Sequence, residues 1–132
     1  MANKMLIVRG IQGSGKSSFV SMFFPESDYV LIEPDQYMVN AEGEYEYSQS
    51  KLGECIAKCN AKARELAATG QNIVLCGTFG RKVHFQVYLD LAKEFGYEVA
   101  VITINKFHNN KNIHNVPDEA IERTRSTFEH YL

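Results

Sequence analysis

The stretch that most constrains this chain is Gly10-Ile11-Gln12-Gly13-Ser14-Gly15-Lys16-Ser17, set directly behind the apolar run Met5-Leu6-Ile7-Val8 and ahead of Ser18-Phe19-Val20. It reads G-x-x-x-x-G-K-[ST] in a strand–loop–helix context, and the context gives the pattern its meaning. The glycines let successive backbone N–H groups turn inward around a phosphate chain, and the helix that follows adds its positive end. The reading therefore takes Gly10, Gln12, Gly13, Ser14, Gly15, Lys16, Ser17 and Ser18 as phosphate ligands. Lys16 would reach the β- and γ-phosphates, and the Ser17 hydroxyl would ligate Mg²⁺.

Length and charge bound what surrounds this loop. With 132 residues, the expectation is one domain over 1–132, large enough for a single core. Against 14 Lys and Arg stand 16 Asp and Glu, a net charge of −2, so any basic surface must be local. Three cysteines without a CxxC spacing argue against a disulfide framework and point to a reducing compartment, the cytoplasm. The first residues lack the apolar segment of a signal peptide. No apolar run approaches the roughly 18 residues of a membrane span, so no membrane partner is expected.

In order, the chain alternates. Lys4 to Arg9 reads as a strand buried on both faces, and Ser17 to Phe24 as a short helix stopped by Pro25. Tyr29 to Glu33 reads as a second strand, with Pro34 and Asp35 at its carboxyl end. Gln36 to Tyr47 has no periodicity and forms a candidate substrate lip. Leu52, Cys55, Ile56, Cys59, Ala63, Leu66 and Ala67 fall on helical spacing within 48–69, closed by Gly70. Asn72 to Cys76 is a third strand, followed by the turn Gly77-Thr78-Phe79-Gly80-Arg81-Lys82. A helix over Val83 to Phe95 and a fourth strand over Tyr97 to Ile104 follow. The polar stretch Asn105 to Asn115 then leads to Pro117-Asp118-Glu119, which open a last helix. This alternation predicts a three-layer α/β fold of the P-loop NTPase kind: a parallel four-stranded sheet in the order 2-3-1-4, flanked by helices.

Many machines share such a loop, so other motifs must choose among them. Asn105-Lys106-Phe107-His108 occupies the place of a guanine clamp but ends in histidine, which cannot accept both guanine N–H groups as a carboxylate does. The third strand ends Leu75-Cys76-Gly77, without the acid of a motor ATPase. A small phosphotransferase remains.

Over nearly its whole length the chain resembles the kinase domain of phage-type polynucleotide 5′-hydroxyl kinases and the wider set of zeta-toxin-like P-loop kinases, an AAA-type kinase domain. Four features carry the resemblance: the short interval from the glycine-rich loop to Asp35-Gln36-Tyr37, Gly77-Thr78-Phe79, Ala92-Lys93-Glu94-Phe95-Gly96-Tyr97-Glu98-Val99, and Lys111-Asn112-Ile113-His114-Asn115-Val116-Pro117. It implies ATP and Mg²⁺ as cofactors and a hydroxyl acceptor, with Asp35 taking the acceptor proton. A carboxylate at the end of a strand beside the phosphate loop agrees with that role, and Asp35 also stands as a metal-site candidate. A turn residue after Pro34 is the other reading. Glu33 is a second acid that could support the metal or simply face solvent.

Three positions depart from the family pattern. Gly77-Thr78-Phe79 replaces an Asp-Thr-Asn-like tripeptide, Met38 stands where an arginine usually holds a substrate phosphate, and Lys111, preceded by Lys106, takes the place of the lid arginine. Lysine neutralises charge but lacks the bidentate fork. Arg81 and Lys82, or Arg123 and Arg125, are alternative cations, and each is also an ordinary surface residue.

Between Glu26 and Glu46 lie seven acids and no Lys or Arg, which would repel a nucleic-acid strand. Tyr37, Tyr45 and Tyr47 could stack on a base or merely pack. The acceptor expected is thus a nucleoside, sugar or other small hydroxyl compound rather than a general nucleic-acid 5′ end. Cys55 and Cys59 read as core residues on an apolar stripe, and His108 and His114 as polar loop residues. The rival class is a phage accessory or inhibitor protein that sequesters a nucleotide or binds a protein partner without efficient catalysis.

Overall fold

The computed structural model describes residues 3–11, 13–33, 37–38, 41–44, 49–104 and 128. Four strands, β1 (Lys4–Arg9), β2 (Val30–Ile32), β3 (Ile73–Gly77) and β4 (Glu98–Thr103), form one sheet in the order β2-β3-β1-β4. Every pairing is parallel: Met5 lies opposite Ile73 on one side and Val99 on the other, and Val30 lies opposite Ile73. The helices are α1 (Lys16–Phe23), α2 (Leu52–Ala68) and α3 (Gln86–Phe95).

Strand alternation sorts the core into two layers. Met5, Ile7, Ile73, Leu75 and Ile32 point to the face covered by α2 and α3, where they meet Cys59, Ala63, Ala67, Phe85, Tyr88, Leu91 and Ala92. Val8, Val74 and Cys76 point the other way, against Val20 of α1 with Phe19, Phe24 and Tyr29 at the margin. Burial in the first layer pushes the Tyr88 phenol well above the ordinary tyrosine range, with nearby Cys59 adding to the effect. The hydroxyl therefore stays protonated. Cys55 and Cys59 are core residues, and all three cysteines are free thiols in the interior.

The elements differ from their sequence reading mainly at the ends. The long helix begins at Leu52 after a 3-10 turn over Gln49–Lys51, because no side chain caps its first N–H groups. The helix expected from Val83 is divided: Lys82–His84 is a 3-10 turn in which the His84 Nδ1 accepts the Arg81 N–H at 3.2 Å, and α3 starts at Gln86. The second strand is three residues long. Glu98, Val99, Ala100 and Val101 of β4 are exposed on the sheet edge. The last helix expected from Pro117 lies outside the described residues.

Candidate nucleotide site

β1 is the central strand, and its last residue delivers the chain into the loop that opens α1. Gly13 and Gly15 have φ values of 81° and 96°, in the left-handed region that glycine enters without strain. Gly15 is the N-cap of α1 and contributes no side-chain hydrogen bond to the helix, whose N-terminus is the end that favours an anion. Gly10 is required for a different reason. A Cβ there would lie 2.5 Å from Ser14 Oγ and 2.6 Å from the Ile104 carbonyl oxygen.

The side chains around this loop suit a phosphate chain. Lys16 Nζ donates to the Gly10 and Ile11 carbonyls at 2.8 and 2.9 Å, which holds the ammonium within the loop. Ser14 is buried, and its Oγ has no hydrogen-bond partner among the described residues, an expensive state for a hydroxyl inside a protein. Ser17 is exposed at the start of α1, and Ser18 is half-buried behind it. A helix N-terminus, a lysine, a buried hydroxyl and glycines that keep the cradle clear are groups of the kind that suit a polyphosphate. Of the two residues expected to hold a metal, Ser17 is described and Asp35 is not. Gln12, Asp35 and Lys111 lie outside the described residues.

The other half of the site is the loop after β3, where Gly10 N–H donates to the Thr78 carbonyl at 3.3 Å. Here the two unusual residues of Gly77-Thr78-Phe79 turn out to fit one another. Phe79 has φ of 42°, and its ring curls back so that a Cβ on Gly77 would meet ring carbons at 3.1 and 3.2 Å. The ring packs edge-on against Phe85 and Tyr88, with centroids 6.0 and 5.9 Å away. Aromatic packing occupies the place where the family pattern puts a carboxylate. Arg81 is exposed at the end of this loop.

Met38, where the sequence resemblance leads one to expect an arginine, is 1% exposed and lies in the core. Tyr37 packs against the α2/α3 layer, with Lys58 Nζ 5.8 Å above its ring. Glu33 is half-buried past the end of β2, and Glu42 and Glu44 are exposed. Among the described residues no three His, Cys, Asp or Glu side chains gather as a metal site. Nor is any described helix long and apolar enough to cross a membrane.

Sequence reading missed Arg9. By its letters it is the end of an apolar strand, yet the residue is completely buried, with its guanidinium bonded to the loop after β3. The available signal was a lone ionisable residue closing a central strand, one position before the first glycine.

Comparison with known proteins agrees with this geometry. A family model described as an AAA domain (AAA_33) matches residues 5–131, and the chain belongs to that family. Its fold is that of the P-loop kinases. The Pnkp1/Rnl/Hen1 RNA repair complex contains a chain with a TM-score of 0.70 and 19% identity, covering 96% of this chain and 44% of its own length. The APS kinase CysC of Mycobacterium tuberculosis matches at a TM-score of 0.58 and 17% identity, with 96% of each chain covered. A structure of AvrRxo1-ORF1 and ORF2 with ATP matches at 0.56 and 16% identity, covering 79% of this chain and 37% of the other. This chain thus spans less than half the length of the Pnkp1 chain it matches.

Proposed function

We propose that this chain is an ATP-dependent phosphotransferase that passes the γ-phosphoryl group to a hydroxyl of a small acceptor, a nucleoside or sugar rather than a nucleic-acid end. The donor half rests on the loop itself. Its backbone N–H groups, with Gln12, Gly13, Ser14 and Gly15, would cradle the phosphates, Gly10 would keep the base of the loop clear, and Ser18 would support them from α1. Lys16 would exchange its contacts with the Gly10 and Ile11 carbonyls for the β- and γ-phosphates. Ser17 and Asp35 would hold Mg²⁺, which neutralises phosphate charge when bound. The reading takes 1–132 as one kinase-like domain.

For the acceptor, the observation that carries the reading is the burial of Met38. The side chain that would grip an acceptor phosphate is replaced by an apolar one turned into the core, beside a lip whose charges are all acidic. A polyanion gains nothing there, whereas an uncharged hydroxyl compound loses nothing. Asp35 would accept the hydroxyl proton, and Lys111 or Arg81 would balance charge on the transferring group.

The experiment is a screen of hydroxyl acceptors with labelled ATP, read beside Lys16→Ala and Asp35→Asn. Turnover should fall about 100- to 1000-fold in Lys16→Ala. Asp35→Asn should lose transfer and keep nucleotide binding, and a fully active Asp35→Asn enzyme would remove Asp35 from the mechanism. The aromatic filling at Gly77 and Phe79 favours one second reading, a nucleotide-binding protein that does not turn over and acts on a protein partner. Saturable ATP binding without ADP release across the whole screen would select it.

A further inference from the structure

Arg9 is the only charged side chain fully buried among the described residues. It shares the strand parity of Met5 and Ile7, so it enters the α2/α3 layer beneath the phosphate loop. Its Nε donates to the Phe79 carbonyl at 2.9 Å, Nη2 to the Gly80 carbonyl at 3.1 Å and Nη1 to Thr103 Oγ1 at 3.1 Å. The ring of Phe128 lies 4.2 Å from the guanidinium carbon and that of Phe85 5.6 Å from it. A single side chain therefore joins the ends of β1 and β4 to the loop after β3.

What it holds is a strained place. A non-glycine residue at positive φ persists only where its surroundings impose it, and the Arg9 fork grips the carbonyls of Phe79 and of the residue after it. The carbonyl just before them, that of Thr78, accepts the Gly10 N–H. We infer that Arg9 is a positioning residue for the phosphate loop: by fixing the Phe79 and Gly80 carbonyls it presents the Thr78 carbonyl to Gly10 and locks the base of the loop against the β3–α3 connection. The inference rests on the reading of that loop as a nucleotide site. A lysine's three donors diverge from one nitrogen and lack the planar fork that spans the Phe79 and Gly80 carbonyls and Thr103 Oγ1 together.

The test uses the full-length chain as wild type, Arg9→Met, Arg9→Lys and Lys16→Ala. Methionine keeps the apolar stem of the side chain without the cost of desolvating a charge, so the fold need not weaken. Residue-resolved amide exchange is measured without ligand, and ADP with Mg²⁺ is titrated by calorimetry. In Arg9→Met the Gly10 amide should exchange about tenfold or more faster while strand amides such as Leu75 keep their protection. ADP should bind about ten- to a hundredfold more weakly, as a displaced loop requires, with Arg9→Lys between the two.

Unchanged exchange at Gly10 would overturn the inference. So would equal acceleration of every strand amide, the mark of a merely structural residue, or an ADP affinity within about twofold of wild type. If wild type and Lys16→Ala take up ADP equally weakly, the nucleotide reading is what fails. The Gly10 amide then still decides whether Arg9 positions the loop.

Discussion

Two loops leave the carboxyl edge of this sheet side by side, each after a buried parallel strand, and they are built on opposite principles. The loop after β1 stays open: glycines keep side chains out, α1 begins without a side-chain cap, and Ser14 Oγ is left without a partner among the described residues. The loop after β3 is closed: Phe79 folds its ring over Gly77, Phe85 and Tyr88 pack against it, and Arg9 occupies its carbonyls. Polar groups withheld from bonding mark a surface prepared for a ligand, whereas satisfied ones mark a surface finished by folding. On that principle we propose the loop after β1 as the site and the loop after β3 as its support.

The strongest way to break the contrast is to fill the open loop. Gly10→Ala places a methyl group against a backbone oxygen that cannot swing aside. It should cost about 1–3 kcal/mol of stability, by denaturant titration, and abolish measurable ADP binding. Retention of both would mean the loop is less tightly held than its geometry indicates.

Next comes the acceptor side, where Met38→Arg restores the side chain typical of the family. Because Met38 is core, the change should destabilise the fold by about 3 kcal/mol and confer no activity on oligonucleotide 5′ ends. An arginine variant of normal stability that gains such activity would place position 38 at the site.

A smaller effect sharpens the closed loop. Gly77→Ala should cost about 1–2 kcal/mol by crowding the Phe79 ring, and much of that cost should vanish in Phe79→Asn, which removes the ring and tolerates positive φ. Additive costs would show that the two residues do not form a unit. The smallest effect is expected far from both loops, at Arg64 and Glu94. Their exposed ion pair, 2.7 Å at its shorter contact, joins α2 to α3, and Arg64→Ala should leave the midpoint of denaturant unfolding where it is in wild type.

How legible all this was follows the same division. Local chemistry announced the donor loop, because its glycines, lysine and serine act through backbone conformation and fixed spacing. The parallel sheet was legible for a related reason, since apolar strands alternating with helical spacing leave few topologies. Met38, Phe79 and Arg9 were not. As letters, the first two were family residues missing from their places and the third a strand end; only packing shows that Phe79 fills the space Gly77 leaves, that Met38 faces the core, and that Arg9 anchors the neighbouring loop. Helix starts also escaped where no capping residue marks them, as at Leu52 and Gln86. Asp35 and Lys111 fall outside the described residues, so their roles stand on sequence.

The most direct test of the account is a competition in one vessel: labelled ATP and Mg²⁺ with a mixture of nucleosides and sugars on one hand and a 5′-hydroxyl oligonucleotide on the other, at low and at raised salt. The account predicts that label appears on a small hydroxyl compound, with little on the oligonucleotide and little change with salt. Label passing chiefly to the oligonucleotide, and falling steeply as salt is added, would contradict it.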